Sequence, residues 1–359
     1  MTRPDQANRW TKLTVRARDA AGRPQMAEGS VPEAGGITAN EDFFIVHHYA
    51  PAEVDPSTWS LEVCAGDGPC RSLDLDAIKA LPQRSVTALL ECAGLSRGHL
   101  PEMKPGTQFG NGLVGTAAWT GARLSDVLGA AGLTAGFETL VVTGSDSGTA
   151  QPENVHSEFS KGLPREKALA EDTLLAWGMN GEPLDPLHGG PVRLVVPGWF
   201  GVWWVKWPRR LQTVSGAGFE GFWQSARYTY QSEEGVLKSV VQSLLPRSLI
   251  VSPAAGARVQ RGPLTLSGVA WAGEQAVVSV EATTDGGRTW VPAKLATRDD
   301  AWAWVGWQAD VELTGPAGLR AVAVRATDAA GRTQAWESES NRLGYGNNGI
   351  HSIKLDVVV

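Results

Sequence analysis

Apolar and polar positions along the chain divide it into two regions of different rhythm. From about residue 40 to 240, short apolar runs alternate with helical spacing and polar turns. Ser85 to Leu90 is a partly β-branched run with the length of a buried strand. Glu41 to Pro51 reads as an aromatic and β-branched strand ending in paired histidines, His47 and His48, and Trp59 to Val63 as a hairpin strand. Leu73 to Leu81 predicts a short helix capped by an aspartate and stopped by Pro82, and Leu124 to Leu133 a packing helix. Thr139 to Asp146 predicts a strand entering a polar turn, with 147–162 as an irregular loop. Leu174 to Leu184 reads as a strand ending in Asn180-Gly181, a strong hairpin signal. Before residue 39 the pattern is that of an irregular arm.

From Leu249 onward the rhythm changes to short alternating strands, such as Leu264–Val269, Val277–Ala282 and Arg320–Ala326. Asp285-Gly286-Gly287 and the Asp328 to Gly331 stretch supply turns between them. Such strands over roughly 110 residues argue for an immunoglobulin-like β-sandwich. The expected organisation is therefore an arm over 1–38, an α+β catalytic domain over 39–240 and an all-β sandwich over 241–359.

Composition narrows the functional classes. The chain has 359 residues, 42% hydrophobic and 19% charged, which suits two ordinary globular domains. A net charge of −6 implies no general affinity for nucleic acid, and no apolar run approaches the roughly 20 residues of a membrane span. No signal-peptide core or twin-arginine pair stands in the first thirty residues, so a cytoplasmic setting is expected, or a periplasmic one if a leader is missing. Three cysteines are too few for a disulfide framework. Cys64 and Cys70 flank a Gly-rich turn and could meet across a hairpin, but a reducing cytosol favours free thiols. No haem-attachment or iron–sulfur pattern is present, so electrons leaving this chain would need a separate acceptor.

Cys92 stands at the exit of the Ser85–Leu90 strand, in Glu91-Cys92-Ala93-Gly94, with Arg97 five residues on. A cation there favours the thiolate, which is both nucleophile and soft metal ligand. A buried structural thiol, a Cys92–His48 nucleophile–base pair and a non-enzymatic binding module are the alternatives. A second cluster, His188, Arg193 and Lys206, surrounds glycine-exposed backbone N–H groups and makes a plausible phosphate nest.

Together these segments resemble the sulfite oxidase family of molybdenum enzymes. The carriers are Glu91-Cys92-Ala93-Gly94 with Arg97, Gly110-Asn111-Gly112, Ala118 to Leu124, His188 to Lys206, and Phe222 to Tyr228. The resemblance implies molybdenum held by molybdopterin, with Cys92 as the protein's ligand to the metal. It places Phe44, His47, His48, Asp146, His188, Arg193, Trp204, Val205 and Lys206 on the cofactor, and Arg97 and Tyr228 at the substrate. It implies oxygen-atom transfer with a small oxyanion, a soluble electron acceptor such as a cytochrome, and a homodimer paired through the C-terminal domain. The sequence departs from the family where its substrate arginine falls on Val46, its asparagines on His47 and Leu95, and its C-terminal arginine one position from Arg342. An apolar side chain cannot neutralise sulfite, so nitrate or an S- or N-oxide stands as an alternative substrate.

Overall fold

The computed structural model describes residues 12–31, 36–216, 218–297 and 300–359. Its strands in chain order are β1 (Thr14–Arg18), β2 (Pro24–Glu28), β3 (Ile45–Val46), β4 (Ser60–Ala65), β5 (Cys70–Asp74), β6 (Gln83–Glu91), β7 (Val114–Arg123), β8 (Thr139–Ala150), β9 (Val155–Pro164), β10 (Leu174–Met179), β11 (Glu182–Pro183), β12 (Arg193–Val195), β13 (Pro208–Val214), β14 (Thr229–Gln231) and β15 (Leu237–Val240). Among the described residues the only α-helices are the short α1 (Leu75–Lys79), α2 (Leu124–Ala130) and α3 (Arg165–Ala168). The expected α+β domain is thus mostly β.

Two sheets organise this region, ordered β5-β4-β13-β8-β9 and β11-β10-β7-β6, with β12 pairing β10. The strand expected over 85–90 is β6, and the Asp74 side chain caps α1 by accepting from Ala77 N–H at 2.8 Å. Asn180-Gly181 turns β10 into β11, both residues having positive φ (54° and 79°) as such a turn requires.

Three expectations fail here. Residues 12–31 are no irregular arm, because β1 and β2 pair antiparallel and β2 pairs β3; what lies before residue 12 is outside the described residues. The sequence signal was weak because β1 exposes alternate residues and leans on its neighbour. The aromatic run 41–51 is mostly a 3-10 turn (Asn40–Asp42) and loop, with only Ile45–Val46 in a strand. Residues 147–162 are not a loop, since β8 and β9 extend as a long antiparallel hairpin, Ser147 facing Glu158 and Ala150 facing Val155. Polar side chains on both faces concealed it.

Cys64 and Cys70 are disulfide-bonded, which corrects the free-thiol expectation. They are register partners on β4 and β5, with Cα atoms 4.0 Å apart, so the hairpin itself presents the two sulfurs to each other.

The second region contains β16 (Arg247–Ser252), β17 (Arg258–Gln260), β18 (Gly262–Trp271), β19 (Val277–Thr283), β20 (Val291–Pro292), β21 (Lys294–Leu295), β22 (Val305–Leu313), β23 (Gly318–Asp328) and β24 (His351–Val358). They form two sheets, β16-β18-β22-β21 and β17-β24-β23-β19-β20. Leu266, Val311, Val280, Val322 and Leu355 from both sheets meet in one buried core, so the unit is a β-sandwich.

The two regions are joined by more than a linker. Trp302 covers the free edge of β6, where Leu89 N–H donates to Trp302 O at 2.9 Å. Arg247 reaches back to the buried Glu91 carboxylate (3.6 Å), which also accepts from Trp271 Nε1 at 2.7 Å. Arg247 further donates to Ser96 Oγ and Asn347 O.

Candidate molybdenum centre

Strand β6 ends at Glu91, and Cys92 follows on a backbone held by its N–H donating to Leu113 O at 3.0 Å. The chain then folds back tightly, Leu95 N–H donating to Cys92 O at 2.9 Å, with Ser96 in a left-handed conformation (φ 58°). Cys92 is the free cysteine and lines a small cavity of about 50 Å³. Phe44, Val46, His48, His188, Arg193, Lys206 and Tyr228 share that cavity with it. Residues more than a hundred positions apart are thus assembled around one sulfur.

The cationic side is built by the stretch after β11. Asp185 caps the 3-10 turn Pro186–His188, and Gly189 follows at φ 105°, where an added Cβ would stand about 3 Å from Lys206 and Arg193 side-chain atoms. Arg193 is buried and donates to His188 O (2.9 Å) and Trp204 O (3.3 Å), flanked by the rings of Trp119 and Trp204. Lys206 Nζ donates to Val46 O (3.0 Å) and Leu187 O (3.2 Å). Neither cation has a carboxylate within ion-pair distance among the described residues. Burial pushes Arg193 down to about 9, and burial followed by Arg193 pushes Lys206 well below the ordinary lysine range. Desolvated cations without an anion are costly, so the site is built for an anionic occupant.

The remaining wall carries Tyr228 and His48, while Arg97 does not line the cavity. Tyr228 follows a π-helical turn, Phe222–Arg227, and its hydroxyl lies 2.6 Å from His48 Nε2. His48 stacks on Phe159, and burial lowers it to about 3, so it is neutral. Its partner is Tyr228, which leaves no base on Cys92 of the kind a hydrolase pair needs. Burial also drives the Tyr228 phenol well up. Arg97 is buried with its Nε unpartnered and its Nη1 donating to Thr107 O at 3.3 Å. Arg97 and Lys206 both pull the Cys92 thiol down, yet burial outweighs them and the net shift is upward. The expected activation by Arg97 alone is therefore corrected: the neutral thiol is favoured here until a metal replaces its proton.

Not every expected residue lines the cavity. Trp204 and Val205 are buried supports, Trp204 Nε1 donating to Trp199 O (3.1 Å) and Val205 O accepting from Leu194 N–H (2.8 Å). His47 Nε2 donates to Leu187 O at 2.8 Å while its buried Nδ1 has no partner. Asp146 is buried near Lys206, one carboxylate oxygen unpartnered, and burial raises it to about 7. Arg342 approaches Gly235 rather than the cavity.

Sequence reading missed two residues. Lys161 on β9 is fully buried, donates to Trp223 O at 2.6 Å and faces the Trp203 and Tyr228 rings. Tyr345 stacks on Tyr228. Lys161 stands in a polar stretch outside any motif, and Tyr345 carries no signal in the sequence apart from the contact it makes in the fold.

The group these residues fit can be tested on their chemistry. Among the described residues no three His, Cys, Asp or Glu side chains cluster as metal ligands. A metal here would rest on Cys92 and on ligands the protein does not supply, carried by an anion that Arg193 and Lys206 neutralise. A molybdenum ion on a phosphate-bearing pterin dithiolene meets each of those demands.

Comparison with known proteins agrees. The family described as "oxidoreductase molybdopterin binding domain" matches residues 47–223, and "Mo-co oxidoreductase dimerisation domain" matches 238–358. Mitochondrial sulfite oxidase of Mus musculus is 35% identical over 298 residues, covering 78% of this chain and 54% of that one. Nitrate reductase [NADH] 1 of Oryza sativa subsp. japonica is 29% identical over 360 residues, 90% of this chain and 38% of that one. The chain spans about half the length, or less, of these two relatives. Among solved structures, the sulfane dehydrogenase SoxCD from Paracoccus pantotrophus superposes with a TM-score of 0.80 at 25% identity, over 99% of this chain and 93% of that one. With a cysteine at the end of β6, the buried cations Arg193 and Lys206 in the same cavity and both family domains in sequence, the chain belongs to the sulfite oxidase family of molybdopterin-dependent oxidoreductases.

Proposed function

We propose that the chain transfers an oxygen atom to or from a small oxyanion, with sulfite oxidation to sulfate as the first reading. Sulfite and water then give sulfate, two protons and two electrons, the electrons passing to a separate soluble acceptor such as a cytochrome. When bound, the molybdenum cofactor supplies the oxygen-atom and electron-pair chemistry. Cys92 Sγ holds the metal; Arg193, Lys206 and His188 hold the phosphate; Phe44, His47, Asp146, Trp204 and Val205 shape the pterin's bed. Arg97 attracts the oxyanion, and Tyr228 presents a hydroxyl whose proton is shared with His48 Nε2. The observation that carries this reading is the convergence of Cys92 with Arg193 and Lys206 in one cavity.

One observation favours a second reading. Val46 occupies the cavity wall where the family's substrate arginine is expected, which leaves the site less cationic and suits nitrate or an S- or N-oxide. Val46→Arg should then lower the KM for sulfite about tenfold or more, the effect of one charge-assisted hydrogen bond. The deciding experiment measures molybdenum content and sulfite-dependent reduction of ferricyanide in wild type and Cys92→Ser. Wild-type turnover retained in Cys92→Ser would refute the assignment of the metal ligand.

The same proposal takes 39–240 as the catalytic domain and 241–359 as an immunoglobulin-like unit that pairs two subunits. The Cys64–Cys70 disulfide supports an oxidising compartment such as a periplasm over the cytoplasm. No helix among the described residues is long and apolar enough to cross a membrane.

A further inference from the structure

The sandwich region sends one segment, Asn341 to Gly346, into the catalytic region. Asn341 grips the backbone of Tyr345 twice, Nδ2 donating to Tyr345 O (2.9 Å) and Oδ1 accepting from Tyr345 N–H (3.1 Å). Gly346 N–H donates to the carbonyl of Ala93, next to Cys92, at 2.9 Å. This path demands glycine, since Gly346 has φ 63° and an added Cβ would stand 2.3 Å from the Tyr230 hydroxyl. Asn347 Nδ2 completes the anchor on Ser96 O at 2.8 Å.

The anchored ring has two neighbours from the site. Tyr345 is buried and lies nearly parallel to Tyr228, with centroids 4.7 Å apart and planes at 24°. The Arg97 guanidinium carbon sits 5.0 Å from the Tyr345 centroid. Tyr345 also forms part of the wall of a groove of about 1100 Å³ between the two regions, shared with Ser96, His99, Trp336 and His351. Tyr228, on the other side of the stack, lines the Cys92 cavity. The stacked pair is the partition between groove and cavity.

We propose that Tyr345 is a specificity-determining residue, supplied by the second domain, that confines the site to compact oxyanions. Its ring backs Tyr228 from the groove side, so that the stacked pair closes the cavity, and it holds Arg97 by a cation–π contact. The inference rests on the reading above that the substrate binds beside Cys92 between Arg97 and Tyr228. A substrate with a bulky substituent would need the volume that Tyr345 fills.

The test is isothermal titration of sulfate and of benzenesulfonate into molybdenum-loaded wild type, Tyr345→Phe and Tyr345→Ala, with metal content measured alongside. Wild type and Tyr345→Phe should bind sulfate and reject benzenesulfonate, because both keep the stack and the phenylalanine variant loses only the hydroxyl's bond with Arg227. Tyr345→Ala should bind sulfate about tenfold more weakly, from loss of the Arg97 contact, and benzenesulfonate at least tenfold more tightly than wild type does. Tyr345→Leu, which keeps apolar bulk if the alanine variant fails to fold, should shift both anions in the same directions. Sulfate binding by wild type together with an unchanged preference in the folded Tyr345 variant overturns the role of Tyr345 alone. Metal-loaded wild type that binds neither anion overturns the oxyanion reading, and this proposal with it.

Discussion

Lys206→Met should act in opposite directions on the cofactor-free chain and on cofactor retention. In the folded chain Lys206 Nζ is desolvated, near Arg193 and without a paired carboxylate, and its affinity for a proton is held well below that of an ordinary lysine. Between that lowered value and 10.5, the unfolded chain binds a proton that the folded chain does not. Stability of the cofactor-free protein therefore rises with pH through this window, by up to about 1.4 kcal/mol per pH unit, and flattens above it. Methionine fills similar volume without charge. Of the two carbonyls that lose a donor, Leu187 O keeps its bond from His47 and only Val46 O gives up a Lys206 bond without that replacement. The substitution should stabilise the cofactor-free chain by about 1–4 kcal/mol at neutral pH and remove the slope. Loss of one charge-assisted bond of roughly 1.5–3 kcal/mol should weaken cofactor binding about 10- to 150-fold. Thermal melts of cofactor-free wild type and variant from pH 7 to 10, with molybdenum content after expression with cofactor, read both effects. A variant that melts below wild type at pH 7, or that retains molybdenum as wild type does, would refute the reasoning.

Other outcomes follow from the same structure. Arg247→Met removes a buried donor from Ser96 Oγ and Asn347 O, while Glu91, held near 7 by burial, takes up a proton instead of staying charged, so denaturant unfolding should show a cost of about 1–3 kcal/mol, little of it recovered in the double variant with Glu91→Gln. Cys64 and Cys70 should resist alkylation in denaturant unless a reductant is added, leaving one reactive thiol, and reduction should destabilise the chain by roughly 2 kcal/mol for so short a loop. His48→Phe keeps the stack on Phe159 but leaves the Tyr228 hydroxyl without its partner, so kcat should fall and the pH dependence of turnover should shift while molybdenum content holds. An unchanged pH profile would remove His48 from the proton path.

The site was more legible in the sequence than the frame that carries it. Cys92, His188, Arg193, Lys206 and Tyr228 stand in contiguous motifs whose spacing survives as a string of residues. Elements stabilised by a neighbour were harder to see. β1 is ordered by pairing with β2, and β2 by β3, while β8 and β9 carry polar residues on both faces beyond Gly144, so period-2 alternation does not mark them. Lys161 reads as a surface cation in a polar stretch, and only its burial against Trp203 and Tyr228 reveals otherwise. The disulfide depends on strand register, which brings Cys64 and Cys70 opposite each other whatever the compartment suggests. Tyr345 escaped because its meaning lies in a contact across more than a hundred residues.

Strand β6 is the outermost member of its sheet, and its exposed flank is closed by Trp302 of the sandwich. A catalytic half made alone would carry an open row of backbone donors and acceptors beside the very thiol that must stay in place, ready to recruit another chain. Cutting the gene near residue 240 should therefore yield an insoluble product, and grafting a foreign C-terminal unit would need to reproduce the tryptophan as well as the fold. One half finishes the sheet of the other.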